Sequence, residues 1–363
     1  MDKILSIVVA SYNMEAYLPK CLGSLIIADR GLLQKVEVIV VNDGSKDRTS
    51  EIAHGFEARY PGVFVVLDKP NGHYGSCINA ALSIASGEYI RTLDADDSVD
   101  TEGFHKFLCA VVEECQKKDK GADLIITDYM RVDPDGKEIN RSNLGFADGA
   151  RTLADLPEGY ERLENASISY RTKNVKRIGY HQSEGMSYTD CEWLTEPMVT
   201  VRTIRYVPVV VILYLNGRDG QTMDPKMFSR SFQNILTITR GIVERHRDYV
   251  AMCEKTSLSY YHRQIVSMLR MCYYYGLFGY KGVRMKCDLE GFDKSLSDFP
   301  DFYFIPSDWS FGPNHFPFRY VEYFRKNGYG LRWRLRRAFN DFLLWGAGLI
   351  GYPKIRALFS NKR

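Results

Sequence analysis

The chain has 363 residues, 45% of them hydrophobic, with 48 Lys/Arg against 45 Asp/Glu. This is the composition of a globular protein with a sizeable core, and the length allows one large domain or a domain with an appendage. The net charge of +3 is unevenly spread: residues 325–363 hold ten Lys/Arg and one Asp, a local +9 that leaves −6 for the rest.

The first third alternates strand and helix. Apolar strand patterns occur at 5–10, 36–41, 63–67, 88–93 and 122–127, with helical patterns at 14–27, 48–60, 76–85 and 101–118. Continuous apolar strands joined by helices predict an α/β fold with a mostly parallel sheet covered on both faces. Asp133-Pro-Asp-Gly136 reads as a tight turn between two edge strands. The pattern weakens into a loop over 146–163. A strand at 166–170, a short helix at 190–198 and a strand at 203–215 broken at Pro208 follow. Beyond Asp224 the character changes: 227–245 and 257–275 have the apolar spacing of long helices. The expected division is therefore 1–223, a helical region 224–300 and a basic, aromatic tail 301–363.

Four strand ends carry the chemistry. Glu88-Tyr-Ile-Arg-Thr-Leu-Asp-Ala-Asp-Asp97 runs a short strand into three carboxylates, Asp94, Asp96 and Asp97. In an open parallel sheet the carboxyl ends of the strands are where ligands bind. Two aspartates one residue apart offer hard oxygen ligands to Mg²⁺ or Mn²⁺, ions that commonly hold substrate phosphates. Ala10-Ser-Tyr-Asn13 ends the first strand: Tyr12 can stack on a base, and Asn13 can cap the next helix with Glu15 in its first turn. Asn42-Asp-Gly-Ser45 ends the second strand; it is a common turn composition, yet Asp43 can also accept from a base or a ribose. Lys69-Pro-Asn-Gly-His-Tyr-Gly-Ser76 follows the third, with two glycines that permit close backbone approach and a helix N-terminus, expected at Gly75 or Ser76, that suits an anion. His73 reads as a ligand or as an exposed loop residue. Convergence of four polar loops on one sheet edge outweighs any single motif.

Over about residues 1–220 these motifs resemble the family 2 glycosyltransferases of the GT-A fold. The resemblance rests on Ser6-Ile-Val-Val-Ala-Ser-Tyr-Asn13, Val38-Ile-Val-Val-Asn-Asp-Gly-Ser45, Asn71-Gly72 with Gly75 and Asn79, and Gly87 to Asp97. It implies nucleoside contacts, to uridine, from Tyr12 and Asp43, with Asn13, Asn71 and Gly72 in the same nucleotide site. It also implies Asp94 toward the ribose and sugar, and Mn²⁺ or Mg²⁺ on Asp96. The family's later acidic motif corresponds to Tyr188-Thr-Asp-Cys-Glu-Trp193. Asp190 matches its catalytic base; the residue before it, acidic in relatives, is Thr189 here, and Glu192 is the alternative. Read alone, Asp190 and Glu192 are equally the acids of a helix N-terminus. Arg218-Asp-Gly-Gln221 is similar to the segment that closes over the diphosphate, where an Arg fork suits phosphate oxygens.

The implied activity is an inverting transfer from a nucleotide diphospho-sugar to a hydroxyl of a glycan or lipid-linked acceptor in surface polysaccharide or glycolipid assembly. A sugar nucleotidyltransferase is disfavoured, because Ser11-Tyr-Asn-Met-Glu15 has neither glycine nor cation for a triphosphate. A processive synthase would carry spanning helices and a QxxRW signature, and a non-catalytic sugar-binding protein would not need Asp94, Asp96 and Asp190. The tail mixes cations with Trp333 and Trp345, a pattern that suits the surface of an anionic membrane or a basic helix packed on the body. Its charge comes without a nucleic-acid motif. The helices after Asp224 can bind the acceptor, act as a scaffold or form an oligomer.

Eight cysteines without a CxxC pair or zinc spacing fit a reduced, cytoplasmic setting. The opening strand is too short and β-branched for a signal peptide, and 342–352 is too short to span a bilayer. The expected location is cytoplasmic, peripheral on the inner face of the cell membrane.

Overall fold

The computed structural model describes residues 2–156, 163–217, 224–280, 283–309, 319–330 and 335. Arg218 and the tail from 331 onward, Leu335 excepted, lie outside the described residues.

The first three β/α units form as their patterns predict: β1 (Leu5–Ser11), α1 (Leu18–Ser24), a single turn α2 (Arg30–Leu33), β2 (Val36–Asn42), α3 (Thr49–Arg59), β3 (Phe64–Asp68) and α4 (His73–Ile84). Next come β4 (Tyr89–Thr92), β5 (Ser98–Val99), α5 (Thr101–Gln116), β6 (Leu124–Val132), β7 (Glu138–Arg141), β8 (Ile168–Arg171), α6 (Thr172–Arg177), α7 (Asp190–Thr195) and β9 (Ile204–Leu215). The remaining helices are α8 (Pro225–Ala251), α9 (Leu258–Phe278), α10 (Leu289–Leu296), α11 (Pro300–Tyr303) and α12 (Tyr320–Asn327).

The strands make one mixed sheet in the order β3-β2-β1-β4-β8-β6-β9-β5, with β7 paired to β6. β3, β2, β1 and β4 are parallel, as are β6 and β9, while β8 runs antiparallel to both of its neighbours. All six parallel strands thus point their carboxyl ends the same way. Alternation along β1 splits the core: Leu5, Ile7 and Val9 face α1, α3 and α5, whereas Val8 faces α4. A third cluster is built from α8, α9, α10 and α12.

Several boundaries differ from expectation, each for a local reason. The first helix starts at Leu18, not at residue 14. Side chains of the β2–α3 loop and the first residue of α3 instead hold residues 13–15 in a non-helical path: Ser45 Oγ accepts from Asn13 N (3.0 Å), Thr49 Oγ1 from Met14 N (2.7 Å) and Asp47 from Glu15 N (3.1 Å). Asn13 therefore caps no helix; it sits at φ +53° and its Oδ1 accepts from Lys46 N (2.8 Å). Helix α4 begins at His73 with Gly72 as its N-cap residue, earlier than Gly75 or Ser76. Pro208 does not break β9, because the ladder steps from Thr127–Val207 to Asp128–Val210 and leaves Pro208 outside it. The segment expected as a loop over 146–163 buries Ala147, Ala150, Leu153, Leu156 and Leu163 against α4 and β8, and Thr152 and Asp155 form a capping box in it. The Asp133–Gly136 turn forms as expected, with Gly136 at φ +81°.

α8 and α9 cross the molecule from one sheet edge to the other. At the amino edge, Ser257 Oγ donates to the Val201 carbonyl just before β9, and the Tyr260 hydroxyl accepts from Leu163 N (3.0 Å). At the other end, Phe228 near the start of α8 meets Tyr188, which precedes α7.

Candidate functional site

Asp43 lies one residue past β2 and is buried. Its Oδ1 accepts from Lys69 Nζ (2.6 Å) and from Gly72 N (2.9 Å), while its carbonyl accepts from Asn71 Nδ2 (2.9 Å). Gly44, at φ +72°, packs so closely that a Cβ there would stand 2.9 Å from Asn71 N. The loops after β2 and β3 are thus one unit, with Asp43, Asn71 and Gly72 brought together and Lys69 as the counter-charge. Tyr12 stands beside this unit with 46% of its surface exposed, a ring open to stacking. His73 is exposed at φ +65°.

The acidic segment after β4 divides its labour. Asp97 is buried, and its Oδ1 accepts from Leu215 N (2.7 Å), so it ties down the end of β9. Asp94 and Asp96 are half-buried. The side chains around them register the negative charge. Burial pushes the Cys21 thiol well up, with Asp97, Asp96 and Asp94 adding to it. Burial likewise raises the Tyr214 phenol at the end of β9, followed by the same three carboxylates.

Asp190 is the first residue of α7. The preceding loop docks on the loop after β3: Gly185 N donates to the Gly72 carbonyl (2.9 Å), and Asn79 pairs with both backbone groups of Gln182 (2.9 Å each). A Cβ at Gly75 would overlap the Ser183 carbonyl oxygen, so Gly75 is required by this contact. Tyr74 lies between the two acidic elements. Burial raises its phenol well above the ordinary value, and the charges of Asp94 and, more weakly, Asp190 add to that. Asn165 Nδ2 donates to the Tyr74 hydroxyl (3.3 Å), and Asn165 Oδ1 accepts from Thr92 Oγ1 (2.8 Å). The charges of Asp94 and Asp190, 96 residues apart in sequence, thus both act on one side chain.

Glu192 is in a different position. It is fully buried; its Oε1 accepts from Ser183 Oγ (2.8 Å) and Arg245 Nη2 (2.7 Å), and its Oε2 from Ser183 N (2.7 Å). Arg245 also donates through Nε to Glu196 (2.8 Å), whose other oxygen accepts from the Tyr249 hydroxyl (3.1 Å). Burial, opposed by Arg245 and reinforced by Glu192, raises the Glu196 carboxyl to about 7. The network fastens α7 and its loop to α8.

Sequence reasoning singled out neither Lys69, Tyr74, Asn165 nor Arg245. Lys69 and Tyr74 stand within the glycine-rich loop and were visible there, but Asn165 and Arg245 carry no local pattern and matter only through tertiary contact. A cavity of about 400 Å³ lined by Lys173, Asn174, Arg177, Arg202 and Glu254 lies at the amino edge of the sheet, away from these carboxylates.

The family model "Glycosyl transferase family 2" matches residues 6–165, the span that supplies Tyr12, Asp43, Asn71, Asp94 and Asp96. A curated relative described as an uncharacterized glycosyltransferase of Mycoplasma pneumoniae is 32% identical over 256 residues, 68% of this chain and 80% of that protein. The chain belongs to glycosyltransferase family 2. As a family 2 glycosyltransferase it is also similar to the chondroitin synthase of Pasteurella multocida, with 31% identity over 188 residues. That match takes in 51% of this chain and only 17% of the synthase. Among solved structures, S. aureus TarS 1–349 in complex with UDP-GlcNAc aligns with a TM-score of 0.58 and 20% identity, covering 82% of this chain and 80% of that one. That likeness is one of fold.

Family 2 glycosyltransferases often use a divalent cation. Among the described residues no three His, Cys, Asp or Glu side chains are grouped to form a metal cage. Asp94 and Asp96 suit the other kind of site: Mg²⁺ is usually held by one or two carboxylates together with substrate phosphates, not by an all-protein cage. The hard carboxylate oxygens of the half-buried Asp94 and Asp96 fit such an ion.

Proposed function

We propose that this family 2 glycosyltransferase moves a sugar, with inversion, from a uridine diphospho-sugar to a hydroxyl of a glycan or lipid-linked acceptor in surface polysaccharide or glycolipid assembly. The observation that supports the reading is that the charges of Asp94 and, more weakly, Asp190 both bear on the Tyr74 phenol, whose hydroxyl accepts from Asn165. Tyr12 stacks on the base, and Asp43, steadied by Lys69, accepts from the nucleoside, with Asn13, Asn71 and Gly72 shaping the same pocket. Asp94 faces the ribose and sugar. Asp190 takes the proton from the acceptor hydroxyl, whose oxygen attacks the anomeric carbon on the face opposite the nucleotide. Glu192, with both oxygens engaged, holds the base in place, and Asp190 is the base of choice. A Mn²⁺ or Mg²⁺ ion held by Asp96 would supply positive charge to the departing diphosphate, and Arg218 is proposed to join it.

The donor is identified by incubating the protein with a panel of nucleotide sugars and scoring released nucleoside diphosphate. Asp190→Asn should lower turnover by about 10²- to 10⁴-fold, the usual contribution of a general base, with nucleotide affinity kept. Normal turnover in that variant would remove Asp190 from the mechanism.

We also propose that residues 331–363 rest on an anionic membrane surface at the cytoplasmic face. No helix among the described residues is long and apolar enough to cross a membrane. The support is the clustering of cations around Trp333 and Trp345. Equal binding of full-length and tail-deleted protein to anionic vesicles would disprove it.

A further inference from the structure

The helical region contributes more to the site than the Arg245 clamp. Tyr188, two residues before Asp190, adopts φ +68°, a left-handed conformation rare for a bulky side chain. Its ring meets Phe228 edge-on at 5.8 Å. Phe228 is buried, and two more rings surround it: Tyr275, in the last turn of α9, at 5.1 Å and Tyr280, two residues past its end, at 5.0 Å. Tyr275 and Tyr280 meet each other at 5.5 Å. All three tyrosines are half-buried, so each packs one part on Phe228 and presents the rest outward. Asp190 adds to the burial that raises the Tyr188 phenol to about 12, which ties this cluster to the carboxylate.

A surface of tyrosines around one buried phenylalanine has two properties at once. The rings are flat and apolar, and the hydroxyls at their rims donate and accept hydrogen bonds. A pyranose has the matching pair of properties, with C–H groups on its face and hydroxyls around its edge. Through Tyr188 the cluster borders the carboxylate that must receive the acceptor hydroxyl, while Phe228, Tyr275 and Tyr280 belong to α8, α9 and the residues just past α9, which do not contribute to the nucleotide loops.

We propose that Tyr188, Tyr275 and Tyr280 form the saccharide-binding surface for the acceptor, stacking on the sugar units that precede the reacting hydroxyl. The proposal rests on the reading of Asp190 as the base. Donor recognition then belongs to the sheet edge and acceptor recognition to the ends of α8 and α9.

The test titrates the full chain with soluble hyaluronan, chondroitin and chitin tetrasaccharides by NMR with ring-labelled tyrosine, in the presence of UDP. At least one tetrasaccharide should shift the rings of Tyr275 and Tyr280. Tyr275→Ala and Tyr280→Ala should each weaken its binding about tenfold, the scale of one lost aromatic contact, while UDP affinity stays within twofold. Tyr275→Phe should retain most of the binding. Ring shifts in the wild-type protein decide the matter even if an alanine variant fails to fold. No tetrasaccharide binding, or binding that ignores these rings, overturns the proposal. Failure of the wild-type protein to bind UDP or to release it from any uridine diphospho-sugar overturns instead the functional reading on which it rests.

Discussion

Arg245 reaches from α8 to within 2.7 Å of Glu192, a carboxylate with no exposed surface at the start of α7. The same guanidinium stands 2.7 Å from Glu196, so one cation serves two buried carboxyl groups. Removing it in Arg245→Met leaves both carboxylates facing each other in a low-dielectric site. We expect a loss of about 3–5 kcal/mol, the scale of a broken buried pair, read from the urea midpoint. Arg245→Lys should recover less than half, because an ammonium cannot fork across two carboxylates.

The same network gives a pH dependence with a defined sign. Glu196 rises from an ordinary 4.5 to about 7 on folding, mainly through burial. Between those values the folded state holds more protons than the unfolded one, so this group's stabilisation is fully present below about pH 4.5 and is lost as pH rises through about 7. The groups facing it are Glu192, Arg245, Tyr249, Tyr180 and Tyr261. Comparing thermal midpoints from pH 5 to 8, Glu196→Gln should show a flatter profile than the wild type. Parallel profiles would show that Glu196 stays ionised throughout.

Gly75→Ala should act at a distance from its own helix. The added Cβ would meet the backbone of Ser183, which cannot give way as a flexible side chain would. A loss of about 1–3 kcal/mol, typical of overpacking, should come with faster amide exchange across residues 182–185. Gly23→Ala, in α1 with open space around it, is the control and should be neutral or slightly stabilising.

Asp96→Ala should separate metal from nucleotide. If Asp96 holds the divalent ion, calorimetry should show UDP binding to the variant that no longer strengthens when Mn²⁺ is added. Persistence of the Mn²⁺ effect would exclude Asp96 as a ligand.

The parallel half of the fold was legible because strands buried on both faces are written as nearly unbroken apolar runs, such as Val38–Val41 in β2. Polar residues at strand ends were legible for the converse reason, since Asp43 and Asp94 interrupt those runs just past the carboxyl ends of β2 and β4. Helix starts were misjudged where long-range side chains set the backbone. Nothing near Met14 announces that Thr49 will take its amide. The roles of Asp97 and Glu192 were equally hidden, because a carboxylate that ties down Leu215 or clasps Arg245 looks the same in sequence as one that meets a substrate.

Four described residues other than glycine have positive φ, and three of them, Asn13 and Tyr188 on loops and His73 at the start of α4, stand around the carboxyl edge of the sheet. Each such conformation costs on the order of 1–3 kcal/mol relative to a relaxed backbone. The rim of the site is accordingly the least relaxed part of the described chain. Glycine at any of the three positions would remove the strain along with the side chain held there. Selection for heat resistance alone would therefore drift toward those replacements and away from a working catalyst, so thermostable variants of this enzyme are better sought on the far edge of the sheet.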